Sequence, residues 1–362
     1  MLSLHANWRT AVADSRNASG DGRSGSMNLT HRASRRDFLK SALSGAAALG
    51  ACAGAQLAAV AEPGEALARS RVVIARDPQL RGAGSAVDSS RMLSLLDRAM
   101  QSAFNREPVL EAWKQLVTPG DVVGLKVNAL GGRGISTNRV LVDAICERLQ
   151  QSGIKATDIV VWDRSTDELE RVGFQIAIGG NRVQCFGTDQ VDYEQELSAW
   201  GSVGSRVSKI LTQRTNVLIN LPVLKDHDGA GVTLGLKNMY GAIHNPNKYH
   251  PNGCNPYIAD LNMLPEIRTR LRLTICDATT AMYEGGPAYK PEHCWQMNGI
   301  IVSRDPVALD TTGWQIIERK RAEHGLKTLE ADGRAPAYLA TAADKDHRLG
   351  NCDPKRISIV EI

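Results

Sequence analysis

The chain has 362 residues, with 43 Lys and Arg against 39 Asp and Glu and a formal charge of +4. Residues 1–61 carry the whole excess, since Arg and Lys outnumber Asp and Glu there by the same four charges. The balanced remainder argues against nucleic acid and a polybasic membrane surface as partners, and its length suits one large domain or two small ones with an ample core.

The leader reads as a targeting segment. Residues 1–26 read as a disordered extension or as sequence upstream of a true start at Met27. Ser34-Arg35-Arg36-Asp37-Phe38-Leu39-Lys40 matches the twin-arginine export pattern. A small-residue apolar stretch follows, and Ala59-Val60-Ala61 and Ala66-Leu67-Ala68 both fit a signal-peptidase site. Leu49-Gly50-Ala51-Cys52 is the alternative, a lipoprotein-type site with Cys52 lipidated. The expectation is a signal over 27–68, handled by the twin-arginine translocase. It would deliver the chain to the periplasm and touch the membrane only through that segment. Residues 69–362 are then expected to form a single domain.

That domain opens with a strand at Val72–Ala75, and Met92–Leu116 reads as mainly helical. Pro119-Gly120 turns the chain into Val122–Asn128, where Lys126 and Asn128 alternate with Leu125 and Val127 before Gly131-Gly132. Thr137 is placed to cap a helix running to Gln150, with Leu141, Ile145 and Leu149 on one face. Asp158–Trp162 is the next strand and Asp163 follows it. Strand, helix and strand with such short links make a right-handed parallel βαβ unit. Val183–Phe186 reads as a strand and Trp200–Ser205 as a loop.

The richest stretch is Asn220–Gly241, NLPVLKDHDGAGVTLGLKNMYG. The short β-branched run Val217–Leu221 reads as a buried strand that Pro222 ends, because proline has no N–H for the ladder. Lys225, Asp226, His227 and Asp228 follow, then glycines, then a helical segment with Lys237 and Asn238 that Thr233 is placed to cap. The amides at that helix start, with the glycines before it, are candidates to hold an anion. The stretch is not a P-loop: Gly231-Val-Thr-Leu-Gly235-Leu-Lys237-Asn238 has the wrong spacing and no hydroxyl after the lysine. Nor does it fit a dinucleotide turn, which should follow its strand at once.

His244–Pro256 is a long polar loop with two histidines. Tyr257–Leu264 starts a helix, Leu271–Cys276 is a strand ended by Asp277, and Gly299–Val302 is another. Asp305 caps a helix whose first residue is Pro306, with Asp310 about a turn in. Ile357–Val360 closes the chain as an edge strand.

Asn128, Asp163, Lys225 and Asp277 each fall at or just past a strand's carboxyl end, which in a parallel sheet is one edge. The fold expected is therefore α/β, a mostly parallel sheet with helices on both faces. The candidate site comprises Lys126, Asn128, Asp163, Lys225, His227, Lys237, Asn238, Asp277 and Asp310, with Lys225, His227 and Lys237 as catalytic candidates. His227, His250, Cys254 and His293 are candidate metal ligands, although their spacing matches no standard motif. Six cysteines remain outside the leader and none forms C-x-x-C, so no iron–sulfur motif is present. Cys254 and Cys294, in polar loops, are candidates to pair. The chemistry suits an enzyme or cofactor-bearing protein, a non-catalytic binder of an anionic small molecule, or a metal site.

LPVLKDH followed by VTLGLKNMYG resembles the domain of unknown function 362 family. So do GLKVNALGG (124–132), ICDATTAMYEGGP (275–287) and SRDPVALD (303–310), which extend the resemblance over most of the chain from Val72 onward. The resemblance implies a bacterial α/β domain, in some members joined to a ferredoxin-like module that this chain lacks. It implies no reaction.

Overall fold

A computed structural model describes residues 69–362. The export motif at Arg35 and Arg36, the cleavage sites and Cys52 lie outside the described residues. Among the described residues thirteen strands occur in chain order: β1 (Ser70–Arg76), β2 (Val123–Lys126), β3 (Ile159–Asp163), β4 (Gln184–Gly187), β5 (Ser198–Trp200), β6 (Val203–Ser205), β7 (Val217–Asn220), β8 (Val223–His227), β9 (Gly231–Thr233), β10 (Leu271–Met282), β11 (Cys294–Trp295), β12 (Gly299–Ser303) and β13 (Ile357–Glu361). The main sheet runs β13-β1-β12-β10-β7-β2-β3-β4. From β10 to β4 every pairing is parallel. β12 runs antiparallel to both neighbours, and β13 lies parallel to β1 at the edge.

The strands are apolar at nearly every position because both sheet faces are covered. Along β7, Val217 and Ile219 enter one apolar layer and Leu218 the other. Along β3, Ile159 and Val161 divide in the same way from Val160 and Trp162. Helices Ser89–Phe104 and Arg139–Gln151 cover the first layer with Leu95, Leu96, Leu141, Ile145 and Leu149. Helices Tyr257–Asn262 and Pro306–Glu323 cover the second with Ile258, Leu261, Leu309 and Ile317. Each such side chain contributes about 1.5–3 kcal/mol by leaving water. Among the described residues, no helix is long and apolar enough to cross a membrane.

Several local expectations are corrected. Pro222 ends β7, yet the chain does not leave the sheet. β10 is twelve residues long and pairs first with β7 and then with β8, at Asp277↔Val223 and Met282↔Lys225. Pro222 cannot donate, but its carbonyl accepts from Asp277 N at 2.8 Å and carries the chain across the offset. Lys225 and His227 thus sit inside a strand, and Asp277 sits inside β10 rather than at its end. The stretch read as a loop at 200–205 is the greater part of the β5–β6 hairpin, which starts at Ser198. The cap of helix Arg139–Gln151 is Asn138, whose side chain accepts from Val140 N. Thr137 instead donates to the Leu221 carbonyl at 2.7 Å and accepts from Asn128 N at 2.8 Å, tying β2 to β7. Asp305 does cap its helix, accepting from Ala308 N at 2.8 Å. Cys254 and Cys294 are free thiols, not a disulfide.

The C-terminal segment is stapled through His347. Its Nε2 lies 2.9 Å from Asp260 Oδ1 and its Nδ1 lies 2.8 Å from Asp344 Oδ1. Burial pushes this imidazole down, but the two carboxylate hydrogen bonds outweigh it and hold it above its ordinary value. A raised folded value means the bonus is complete below the unfolded value, near ~6.5, and fades as pH rises through the folded value. The wild type should therefore lose about 1–3 kcal/mol on passing upward through that range, as hydrogen bonds to a charged group weaken. His347→Leu should remove that slope in chemical denaturation at a series of pH values. An identical slope in the variant would contradict the assignment.

Candidate functional site

At the carboxyl edge, β2 ends on Lys126. Leu125 and Val127 enter one core layer, so alternation turns Lys126 and Asn128 to the other face. Lys126 is fully buried, with Nζ 2.7 Å from Asp163 Oδ1 and 2.7 Å from the Val127 carbonyl. Its ammonium also lies 5.6 Å from the Trp162 ring centroid. Asp163 accepts twice more, from Arg164 N at Oδ1 and from Ala129 N at Oδ2, each at 2.8 Å. Gly241 presses on this pair: a Cβ there would stand 2.7 Å from both Lys126 Nζ and Asp163 Oδ1.

Beside it runs a chain of amides whose orientation one lysine sets. Lys225 Nζ donates to Asn128 Oδ1 at 3.0 Å and to the Ile135 carbonyl at 3.3 Å. An ammonium only donates, so Asn128 must present its oxygen there and its NH2 elsewhere. That NH2 donates to Asn238 Oδ1 at 3.0 Å, and Asn238 Nδ2 donates to Asn220 Oδ1 at 2.8 Å. Asn220 Nδ2 then donates to the Gly235 carbonyl at 2.8 Å. Every amide in the row has one consistent orientation, all fully or nearly fully buried.

The two histidines are tautomerically defined. His227 Nδ1 accepts from Gly229 N at 3.0 Å and Ala230 N at 3.1 Å, so the ring proton sits on Nε2. Burial first, then the Lys237 charge, push His227 down to about 3. Its 3.4 Å approach to Asp228 is therefore a contact of a neutral ring rather than an ion pair. Among the described residues nothing accepts from its Nε2–H. His250 Nδ1 lies 3.1 Å from the Pro246 carbonyl and must donate to it, which leaves Nε2 as the acceptor for Lys237 Nζ at 3.2 Å. Lys237 also rests 3.7 Å from the Tyr240 ring centroid.

Lys225 and Lys237 are the unusual pair. Burial lowers each to about 8; Lys225 is raised in part by Asp163 and Asp226 and lowered again by Lys237. Among the described residues no carboxylate forms a salt bridge with either, and both hold only neutral partners. Lys225 and His227 share a face of β8, and Asp226 between them points away. Its Oδ1 accepts from Gly286 N at 2.8 Å and its Oδ2 meets Arg334 at 3.2 Å. Arg334 also bonds Glu284, so the back of β8 is fixed by an ionic network.

Lys126, Asn128, Asp163, Lys225, His227, Lys237 and Asn238 thus line one cavity of about 310 Å³, and His250 joins them from the 244–256 loop. Two expected members do not. Asp277 lies outside this lining, and its carboxylate accepts from Asn138 N at 2.5 Å and Thr279 N at 2.8 Å. The reason is the unforeseen length of β10. Asp310 accepts from Gly235 N at 2.7 Å and Leu236 N at 3.0 Å, capping the short helix Gly235–Asn238. Burial pushes it up to about 8 against those two amide bonds. It takes the amides expected to hold an anion, and Thr233 is not the cap but the last residue of β9. Of the metal candidates, His227 and His250 face each other, ring centroids 6.0 Å apart. Cys254 is buried outside the lining, its thiol 3.7 Å from the His250 carbonyl, and His293 packs on Tyr283. Among the described residues no group of three His, Cys, Asp or Glu is placed to hold a metal ion.

Sequence reasoning missed Tyr240, Arg164 and Glu168, which also line the cavity. Tyr240 had a signal, its i+3 spacing from Lys237 on a helical turn. Arg164 and Glu168 had the i,i+4 spacing of a weak pair, 3.5 Å apart in the structure.

An α/β sheet with a basic, imidazole-bearing cleft at the carboxyl edge of its parallel strands defines the class. The chain belongs to the domain of unknown function 362 family, whose model matches residues 123–315, a span that holds every ionisable group of the cleft. No curated protein matches it. Solved structures similar to it include a Thermotoga maritima protein determined as a structural-genomics target, with 10% identity and a TM-score of 0.41 over 67% of this chain and 60% of that one. Another is the lactate racemase apoprotein of Thermoanaerobacterium thermosaccharolyticum, with 11% identity and a TM-score of 0.38 over 71% of this chain and 59% of that one. This chain therefore spans about three-fifths of either structure, and neither likeness carries a function to it.

Proposed function

We propose that this is an exported protein that binds a small anionic molecule in the Lys225–Lys237 cleft. One observation carries the reading: two buried ammoniums line one cavity, and among the described residues neither forms a salt bridge with a carboxylate. A buried charge without a counter-charge is costly, and a bound anion supplies the missing one. The His227 Nε2–H adds a neutral donor. Catalysis is the second reading, favoured by two amines brought to about 8, within the range where they exchange protons near neutral pH. Protein isolated after export should release a small anion on denaturation, detected by mass spectrometry. Protein that arrives empty and takes up no anion from an added panel would overturn the reading.

Export is supported by the SRRDFLK motif around Arg35 and Arg36. Arg35→Lys with Arg36→Lys should leave the unprocessed chain in the cytoplasm by cell fractionation. Mature double variant in the periplasm at the wild-type level would exclude twin-arginine export.

A further inference from the structure

We infer that the ligand of this cleft is a small dianion, a dicarboxylate or a phosphate monoester, rather than a monocarboxylate. The inference rests on the anion-binding reading above and narrows it by charge and by hydrogen-bond supply.

The charge of the lining comes first. The ionisable residues are Lys126, Arg164, Lys225 and Lys237 against Asp163 and Glu168, with both histidines neutral. Lys126 is matched by Asp163 at 2.7 Å and Arg164 by Glu168 at 3.5 Å. Two positive charges remain without a salt bridge among the described residues: Lys225, on which Asp163 and Asp226 act only from further off, and Lys237, on which Asp228 does. Each is held near 8 and is mostly protonated at neutral pH. A monoanion would cancel one and leave the other buried beside it, in a cavity where Lys225 already feels the charge of Lys237. A dianion cancels both.

The hydrogen-bond supply points the same way. Asp163, the carboxylate on the cleft floor, already accepts from Lys126, Ala129 N and Arg164 N, three of its about four sites. Asn128 and Asn238 spend their oxygens on Lys225 and on Asn128. His250 gives its free lone pair to Lys237. What the floor still offers is donors: a third N–H on Lys225, the unused N–H of Lys237 and the His227 Nε2–H. Such a surface selects a ligand rich in acceptor oxygens and short of donors. Leu130, Pro246 and Pro287 supply an apolar wall for a short carbon skeleton.

The test is isothermal titration calorimetry of the purified full-length chain at neutral pH with three probes: succinate, inorganic phosphate and butyrate. Succinate and butyrate share a four-carbon skeleton and differ by one carboxylate. At least one of the two multiply charged probes should bind about ten-fold or more tighter than butyrate. Preference between succinate and phosphate identifies which kind of dianion the cleft takes. Lys225→Met should reduce that advantage to about one-fold, while the wild-type comparison decides the matter even if the variant fails to fold. Butyrate binding as tightly as both others would overturn the dianion and leave anion binding standing. Binding of none of the three would overturn both.

Discussion

Lys126→Ala is expected to lower the stability of this protein by about 3–5 kcal/mol, the cost of removing one partner of a buried ion pair. The Lys126 and Asp163 side chains are 1% and 6% exposed, and their charged atoms stand 2.7 Å apart. With the ammonium gone, Asp163 keeps only the Ala129 and Arg164 amides, and its charge remains inside. The loss should also reach beyond the pair. Lys126 touches Asn238, whose amide orders Asn128 and Asn220, so the row behind Lys225 loosens with it. Urea denaturation gives the measurement. A loss below about 1 kcal/mol, the range of a surface salt bridge, would show that water reaches the pair.

Lys237→Ala should behave in the opposite way. Lys237 is also buried, but its partners are the neutral His250 ring and the Tyr240 face. Deleting an unpaired buried cation removes a desolvation cost, so the empty variant should melt no lower than the empty wild type. Its ligand affinity should fall by about ten- to hundred-fold, the value of about 1.5–3 kcal/mol for a charge-assisted hydrogen bond. Thermal melts of ligand-stripped protein and calorimetry with the retained anion check both halves. A variant that binds that anion as the wild type does would remove Lys237 from the site. A marked drop in the empty variant's melting temperature would make its role structural. The two substitutions together separate a lysine that holds the fold from the lysine proposed to bind the ligand.

The sequence by itself determined the alternation. Val217–Leu221, short and β-branched, read as a buried strand, and Lys225 and His227, two residues apart, had to share a face once their segment was extended. The strand–helix–strand order from Val123 to Asp163 required parallel pairing and so placed Lys126, Asn128 and Asp163 at one edge. These are consequences of local periodicity and short links, and they located most of the cleft. What only the tertiary structure decided were the partners. Asp277 left the site because β10 runs on to Met282 with β8 and β11 beside it, and that pairing lies far away in sequence. Asp310 became a helix cap because Gly235 and Leu236 are folded against it, 75 and 74 positions away. Three lysines that look alike in sequence were also told apart: among the described residues Lys126 forms a salt bridge with a carboxylate, whereas Lys225 and Lys237 do not. A side chain's face is a property of its own few residues. Whether its charge is answered depends on which distant segment packs against it, and that is settled only when the chain has closed on itself.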